Sequence, residues 1–407
     1  MKELYKKYAE LIIKVGINLQ PNQDVIIYAS TNSPKFVNQV TKTAYENGAR
    51  KVSVEWNNEE QSRLNYLNMD VEDLKEFPEW QIKKWEYNVE KLPCLIHIID
   101  ESPDFLEGID IKKLSEMQMS IYPKIKPFID QRDGKYQWTI VGIPSIKWAK
   151  KIFPNLDDKE AFKELWKLII KVTRLNHRDP IAHWQEHVKN LHNKRDILNN
   201  YNFDYLEYKS SNGTDLKLEL QKDHVWLSGS KPTMSGINYV PNMPTEEIFT
   251  MPAKYGANGI VYSTKPLSYK GNLIEDFSIE FVNGKATTVK AAKGQEALES
   301  MINTDAGSCY LGEVALVPYD SPINKTNVLF YNTLYDENAS CHLALGMAYK
   351  STIKNYQNMT KEDFEKVNYN DSANHVDFMI GSSDLEIIGT TFDNQKITIF
   401  KNGNWEI

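Results

Sequence analysis

Cysteine is scarce in this chain of 407 residues, which holds only Cys94, Cys309 and Cys341. Their number is odd, their spacing is wide and no CxxC pair occurs. A disulfide framework is therefore not expected, and a reducing cytoplasm is the simplest home. Long apolar runs are also missing. No stretch of about 18 apolar residues exists, so no transmembrane helix and no membrane partner are expected. The start of the chain, Met1-Lys2-Glu3-Leu4-Tyr5-Lys6-Lys7-Tyr8, has neither an apolar h-region nor a small-residue cleavage site. It reads as an amphipathic helix and not as a signal peptide. Dense basic runs are absent, and the net charge is −7. Neutralising phosphates needs clustered Lys and Arg, so nucleic acid is not an expected partner. Neither internal repeats nor low-complexity segments occur.

What is present fits a soluble globular protein: 41% apolar and 25% charged residues. The length allows two or three domains with substantial cores. An apolar stripe of Leu4, Tyr8, Leu11, Ile12 and Val15 predicts a helix over residues 2–18. The β-branched run of residues 24–30 reads as a buried strand. A helix over about 34–47 follows, with Pro34 in its first turn, and then a strand over 51–56. Strand, helix, strand within about 30 residues is a βαβ unit with a parallel pair and a right-handed crossover. Further strands are expected at 94–99 and 138–144, with helical stretches between them. Residues 1–200 thus read as an α/β domain with an open, mostly parallel sheet and a two-helix connector over 156–200. No GxGxxG or GxxxxGK[ST] follows the first strand, which leaves a nucleotide-binding enzyme as a weak alternative. Beyond about residue 203, short strands alternate with Asn212-Gly213, Asn283-Gly284 and Asn402-Gly403, which suit hairpins. Residues 201–407 read as a sheet-rich α+β domain that carries the catalytic site.

His183-Trp184-Gln185-Glu186-His187 matches the zinc-peptidase pattern HxxEH. A helix would bring the two histidines one turn apart. Trp184, Val188 and Leu191 form a single apolar stripe, however, so the segment reads as a surface helix with a solvated polar face.

The last 170 or so residues hold polar interruptions beside apolar runs. Charged groups are seldom buried unless paired or metal-bound, so these interruptions point to a shared polar site. Glu246-Glu247 precedes a strand-like run, and neighbours in extended chain face opposite sides. Gly312-Glu313 opens the apolar run Val314-Ala315-Leu316-Val317, and Gly312 would permit close backbone approach. Asp336-Glu337 with Ser340-Cys341-His342 reads as a capped helix start, with His342 and Tyr349 on one helix face. His375 and Asp377 share a strand face at period two. Carboxylates with imidazole suit zinc, cobalt, manganese or magnesium, and the set is large enough for two ions.

These motifs resemble, in combination and in order, the thermophilic-type metalloaminopeptidases of the aminopeptidase T and aminopeptidase S group. The resemblance covers essentially the whole chain. It includes Ala44-Tyr45-Glu46-Asn47-Gly48-Ala49 early on. It continues through Asn242-Met243-Pro244-Thr245-Glu246-Glu247 and Lys265-Pro266-Leu267-Ser268-Tyr269-Lys270-Gly271, and closes at His375-Val376-Asp377-Phe378-Met379-Ile380-Gly381. The resemblance implies a metal-dependent aminopeptidase acting on short peptides with two divalent ions. It implies the ligands Glu247, Glu313, Glu337, His342, His375 and Asp377, with Glu313 bridging, and a tyrosine, Tyr349, close to the metals. Glu313 and Glu246 are candidates for the general base, Tyr349 for a donor to the oxyanion and Lys265 for a substrate contact. A homodimer enclosing a cavity is also implied, and the HxxEH segment is not part of the implied site. A non-catalytic metal-binding scaffold of the same fold is the other alternative.

Overall fold

The computed structural model describes residues 1–407. It contains helices with both parallel and antiparallel sheets. The chain forms two compact units, one of Met1–Val188 with Gly229–Thr245 and one of Lys189–Ser228 with Glu246–Ile407.

In the first unit, the strands Asp24–Ser30, Lys51–Asn57, Cys94–Ile99 and Trp138–Gly142 pair in parallel, and the short strand Asn242–Met243 extends the same sheet at its edge. The helix between the first two strands is Pro34–Glu46, with its proline in the first turn. The N-terminal helix is Lys2–Leu11, and it passes into a wider π-type turn over Ile12–Gly16. Tyr8, Leu11, Ile12 and Ile13 are fully buried there. His97 lies in the third strand and stacks on Tyr28 with ring centroids 4.8 Å apart.

In the second unit, five antiparallel strands form the sheet that matters for the site. Their order is His375–Met379, His342–Gly346, Leu311–Leu316, Ile248–Thr250 and Leu227–Ser228. A second, nine-stranded sheet includes the hairpin of Asn272–Val282 and Lys285–Lys293. Its two-residue turn, Asn283-Gly284, has φ of 49° and 80°, the geometry that matches the twist of the flanking strands.

One expectation is corrected. The stretch from Asp336 to Tyr349 is not a helix that presents His342 and Tyr349 together. A four-residue helical turn, Thr333–Asp336, passes into a tight turn over Glu337–Ala339, and His342–Gly346 is a strand. Ala, Leu and Met favour helix, but His342, Ala344 and Gly346 alternate with Leu343 and Leu345. That alternation places two leucines in the core and the small residues on the other face.

His224 carries a pH dependence. It is 2% exposed, with its Nδ1 2.8 Å from the Gln221 carbonyl oxygen. Burial pushes its pKa down to about 4. An unfolded chain binds this proton near pH 6.5. Between those values the unfolded state holds a proton that the folded state refuses, so stability falls as pH drops through the window. The contribution is about 3 kcal/mol when the shift is fully expressed. Urea unfolding at pH 7 and pH 4.5 is expected to show a smaller acid loss for His224→Gln than for the unaltered chain.

Candidate metal centre

Sheet register builds the site. Glu313 pairs with Ala344, and Ala344 pairs with Asp377. Ala315 pairs with His342, and Gly346 pairs with His375. Paired residues share a face, and side chains alternate along each strand. Glu313, His342, His375 and Asp377 therefore project from one face of the sheet. Ala315, Ala344 and Gly346 are the small residues between them and leave room for the larger side chains. Val314, Leu316, Leu343, Leu345 and Phe378 take the opposite face, and all are buried.

Glu247 enters from the next strand. It lies two residues before Phe249, which pairs with Ala315 and so faces the same side. Glu246 beside it is buried as well. The backbone N–H of Glu246 donates to Asn338 Oδ1 at 2.6 Å.

Two groups of convergent ligand atoms result: Glu247, Glu313 and His342 in one, and Glu313, His375 and Asp377 in the other. Glu313 belongs to both. Its Oε1 lies 3.5 Å from His342 Nε2, and its Oε2 lies 3.6 Å from His375 Nε2. Glu247 Oε2 is 3.3 Å from His342 Nε2, and Asp377 Oδ1 is 3.4 Å from His375 Nε2. His375 Nδ1 lies 2.7 Å from the Met347 carbonyl oxygen, so Nδ1 donates there and Nε2 is the nitrogen that faces the carboxylates and could bind a metal.

Gly312 makes this arrangement possible. The pairing of its strand shifts register between Leu311 and Glu313, which is a β-bulge that re-aims Glu313. A Cβ on Gly312 would collide with the carbonyl oxygens of Gly346 and Met347. The second of these orients His375. Gly312→Ala is therefore expected to lower metal affinity by about 10- to 100-fold, the usual cost of disturbing a group that orients a ligand. Calorimetric metal titration reads this directly.

The buried charges of the site are strongly coupled. Glu313 is 4% exposed, and burial pushes its carboxyl up to about 7. Burial opposes charge on His375, but Asp377, Glu313 and the Met347 carbonyl together outweigh it and raise that imidazole to about 9. Burial likewise opposes charge on His342, where contacts with Glu247 and Glu313 hold the pKa well above its ordinary value. Glu337 lies outside both groups. It is buried, and desolvation followed by the charges of Asp377 and Glu247 raises its carboxyl far above the usual range. His342 Nε2 is buried and has no well-formed hydrogen bond, although three carboxylates face it. Converging oxygen and imidazole donors of this kind fit divalent metal ions.

Tyr349 follows the strand of His342. Its ring centroid is 4.8 Å from that of His375 and 5.9 Å from that of Phe249. Desolvation, reinforced by Glu313, Asp377, Glu337 and Glu247, raises its pKa well above the ordinary tyrosine value, so the hydroxyl keeps its proton. Asp336 is committed to the backbone instead. Its Oδ1 accepts from Phe330 N–H at 2.8 Å, and its Oδ2 accepts from Asn332 N–H at 3.0 Å. Cys341 is buried and donates to the Val317 carbonyl oxygen at 3.3 Å.

The HxxEH segment lies on the helix Pro180–Tyr201, but its histidines have separate partners. His183 stacks on His177 with centroids 3.6 Å apart. His187 Nδ1 lies 3.2 Å from Arg174 Nη2, and its Nε2 lies 2.8 Å from the Thr245 carbonyl oxygen. Neither belongs to a convergent ligand group.

Comparison with known proteins agrees with this chemistry. A family model described as thermophilic metalloprotease (M29) matches residues 1–405. Aminopeptidase AmpS of Bacillus subtilis (strain 168) is 45% identical over 399 residues, spanning 98% of this chain and 97% of its own length. Aminopeptidase 2 of Geobacillus stearothermophilus is 41% identical over 405 residues, spanning 99% of this chain and 98% of its own. The solved structure of wild-type AmpT from Thermus thermophilus superposes with a TM-score of 0.91 at 35% identity and covers 100% of both chains. The chain belongs to the thermophilic metalloprotease (M29) family.

Proposed function

We propose that this chain is a metal-dependent aminopeptidase that removes N-terminal amino acids from short peptides. One observation carries the reading: the two oxygens of Glu313 face two different imidazoles in two ligand groups. That is the arrangement a shared carboxylate takes between two ions. The family match and the aminopeptidase relatives support the same reaction.

In this reading Glu247, Glu313, Glu337, His342, His375 and Asp377 would hold two ions of zinc, cobalt, manganese or magnesium. When bound, they acidify water and polarise the scissile carbonyl. Glu313 and Glu246 are the two carboxylates proposed to take the proton of the attacking water. Tyr349, protonated at neutral pH, donates a hydrogen bond to the oxyanion that develops. A carboxylate or a metal ion would hold the free α-amine of the peptide. The catalytic domain is the second unit, in place of a simple division between residues 200 and 201, because Gly229–Thr245 belongs to the first unit. The working form is a cytoplasmic homodimer, and sedimentation that shows only monomer at working concentration would contradict that part. Neither nucleic acid nor membrane is a partner.

Chelator-stripped protein, resupplied with each metal in turn, is the test. It is expected to release the first residue from short peptides with free N-termini and not from N-acetylated ones. Metal binding without turnover on any peptide would support the non-catalytic scaffold instead. Melting shifts caused by nucleotides would favour the nucleotide-binding alternative.

A further inference from the structure

The centre is not enclosed evenly. The side chain of His342 is fully buried, and those of Glu247, Glu313 and Asp377 are at most 10% exposed. His375 is the most open of the five, at 16%. Solvent, and a substrate with it, therefore reaches the two ligand groups from the His375 side. Two aromatic rings stand there. The Tyr349 ring lies 4.8 Å from that of His375, and Phe249 meets Tyr349 edge-on at 5.9 Å with the planes 68° apart. Tyr349 is 39% exposed, and Phe249 is half-buried.

Sheet register puts Phe249 on the face that carries the ligands. Leu227, Phe249, Ala315, His342 and Met379 pair in that order and form one row across the five strands. Paired residues share a face. Leu227 is half-buried like Phe249, so the two extend the apolar surface that Tyr349 begins. Phe249 also follows Glu247 by two residues, about 7 Å of extended chain, which sets its ring beside the first ligand group. The opening at the other end of the row is smaller. Met379 and Leu267 flank a crevice with room for about one water, too little for a side chain.

On the aminopeptidase reading above, we propose that Phe249, flanked by Leu227 and Tyr349, receives the side chain of the first residue of the peptide and selects large apolar N-termini over small or acidic ones. In that reaction the α-amine and the scissile carbonyl both sit at the ligand groups. The side chain branches from the carbon between them, so it lies against the wall that adjoins those groups, and this wall is apolar. An acidic first residue would instead meet Glu247 and Glu313. One methylene in an apolar pocket is worth about 10- to 200-fold in kcat/KM. A one-sided wall buries less of each group, so leucine is expected to be preferred over alanine by at least about tenfold.

The test uses three substrates on the metal-loaded full chain. Leu-Gly-amide against Ala-Gly-amide varies the first residue, and Ala-Leu-amide against Ala-Gly-amide varies the second. Phe249→Ala is expected to bring the first-residue ratio of kcat/KM to within about threefold of one, chiefly through KM for the leucine substrate, and to keep the second-residue ratio. Phe249→Val, whose β-branched side chain suits a strand, guards against misfolding and is expected to lower the same ratio. A phenylalanine with only a structural role would lower the rates on all three substrates together and keep both ratios. That result would overturn the proposal. A first-residue ratio near one in the unaltered chain, or a collapse of the second-residue ratio instead, would also overturn it. Release of alanine from Ala-Gly-amide by the unaltered chain establishes the underlying reaction separately. If the unaltered chain cuts no substrate, the aminopeptidase reading falls and this proposal falls with it.

Discussion

Glu313→Gln is expected to lower kcat/KM for peptide hydrolysis by at least about a thousandfold, roughly 4 kcal/mol of transition-state stabilisation. The substitution keeps the shape of the side chain and removes its charge. It touches both ligand groups at once, because each carboxylate oxygen serves a different histidine. Metal content should fall at both positions together. Glu247→Gln and Asp377→Asn each touch only one group, so each is expected to lose one ion more readily than the other. Metal analysis after gel filtration, run beside the rate measurements, separates these outcomes. A Glu313→Gln protein that holds two ions as tightly as the unaltered chain would contradict the shared role.

The second large effect is on stability. Four carboxylates, Glu247, Glu313, Glu337 and Asp377, are each at most 9% exposed, and the first, second and last converge on two imidazoles. Buried carboxylates without full compensation weaken the folded state. A cation that binds only the folded chain stabilises it by about 2.7 kcal/mol per site at a hundred times its Kd, so two sites contribute roughly 5 kcal/mol. Removing metal with a chelator is expected to lower Tm by an amount that depends on free metal concentration. Adding metal back should restore it. Glu313→Gln should show little response, and a metal-independent Tm in the unaltered chain would count against the centre.

The sequence signals differed in strength for physical reasons. His375 and Asp377 lie in a strand that alternates at period two, and the strand His375–Met379 places them on one face. The β-branched run of residues 24–30 was equally direct, and its strand is Asp24–Ser30. The stretch around His342 misled because its alanines, leucines and methionine favour a helix in isolation. Its strand form is imposed from outside, by pairing with Leu311–Leu316 on one side and His375–Met379 on the other. Pairing of that kind is settled by tertiary contacts, which override local propensity. The return of Gly229–Thr245 to the first unit had no readable signal either, because its strand in that sheet, Asn242–Met243, is two residues long.

Gly312 shows how much a single position can encode. In the sequence it marks only a place where backbone approaches backbone. In the folded chain the neighbours are the carbonyls of Gly346 and Met347, the second of which fixes the tautomer of His375. The bulge, the glutamate and the histidine therefore form one device, although 63 residues separate Gly312 from His375.

The most direct test of the central claim is anomalous diffraction from crystals of the metal-loaded protein, recorded at the absorption edge of the bound metal. Two peaks are expected, one on each side of the Glu313 carboxylate: the first beside Glu247 and His342, the second beside His375 and Asp377. A single peak that leaves one oxygen of Glu313 without a metal neighbour, or a peak at His183 and His187, would contradict it.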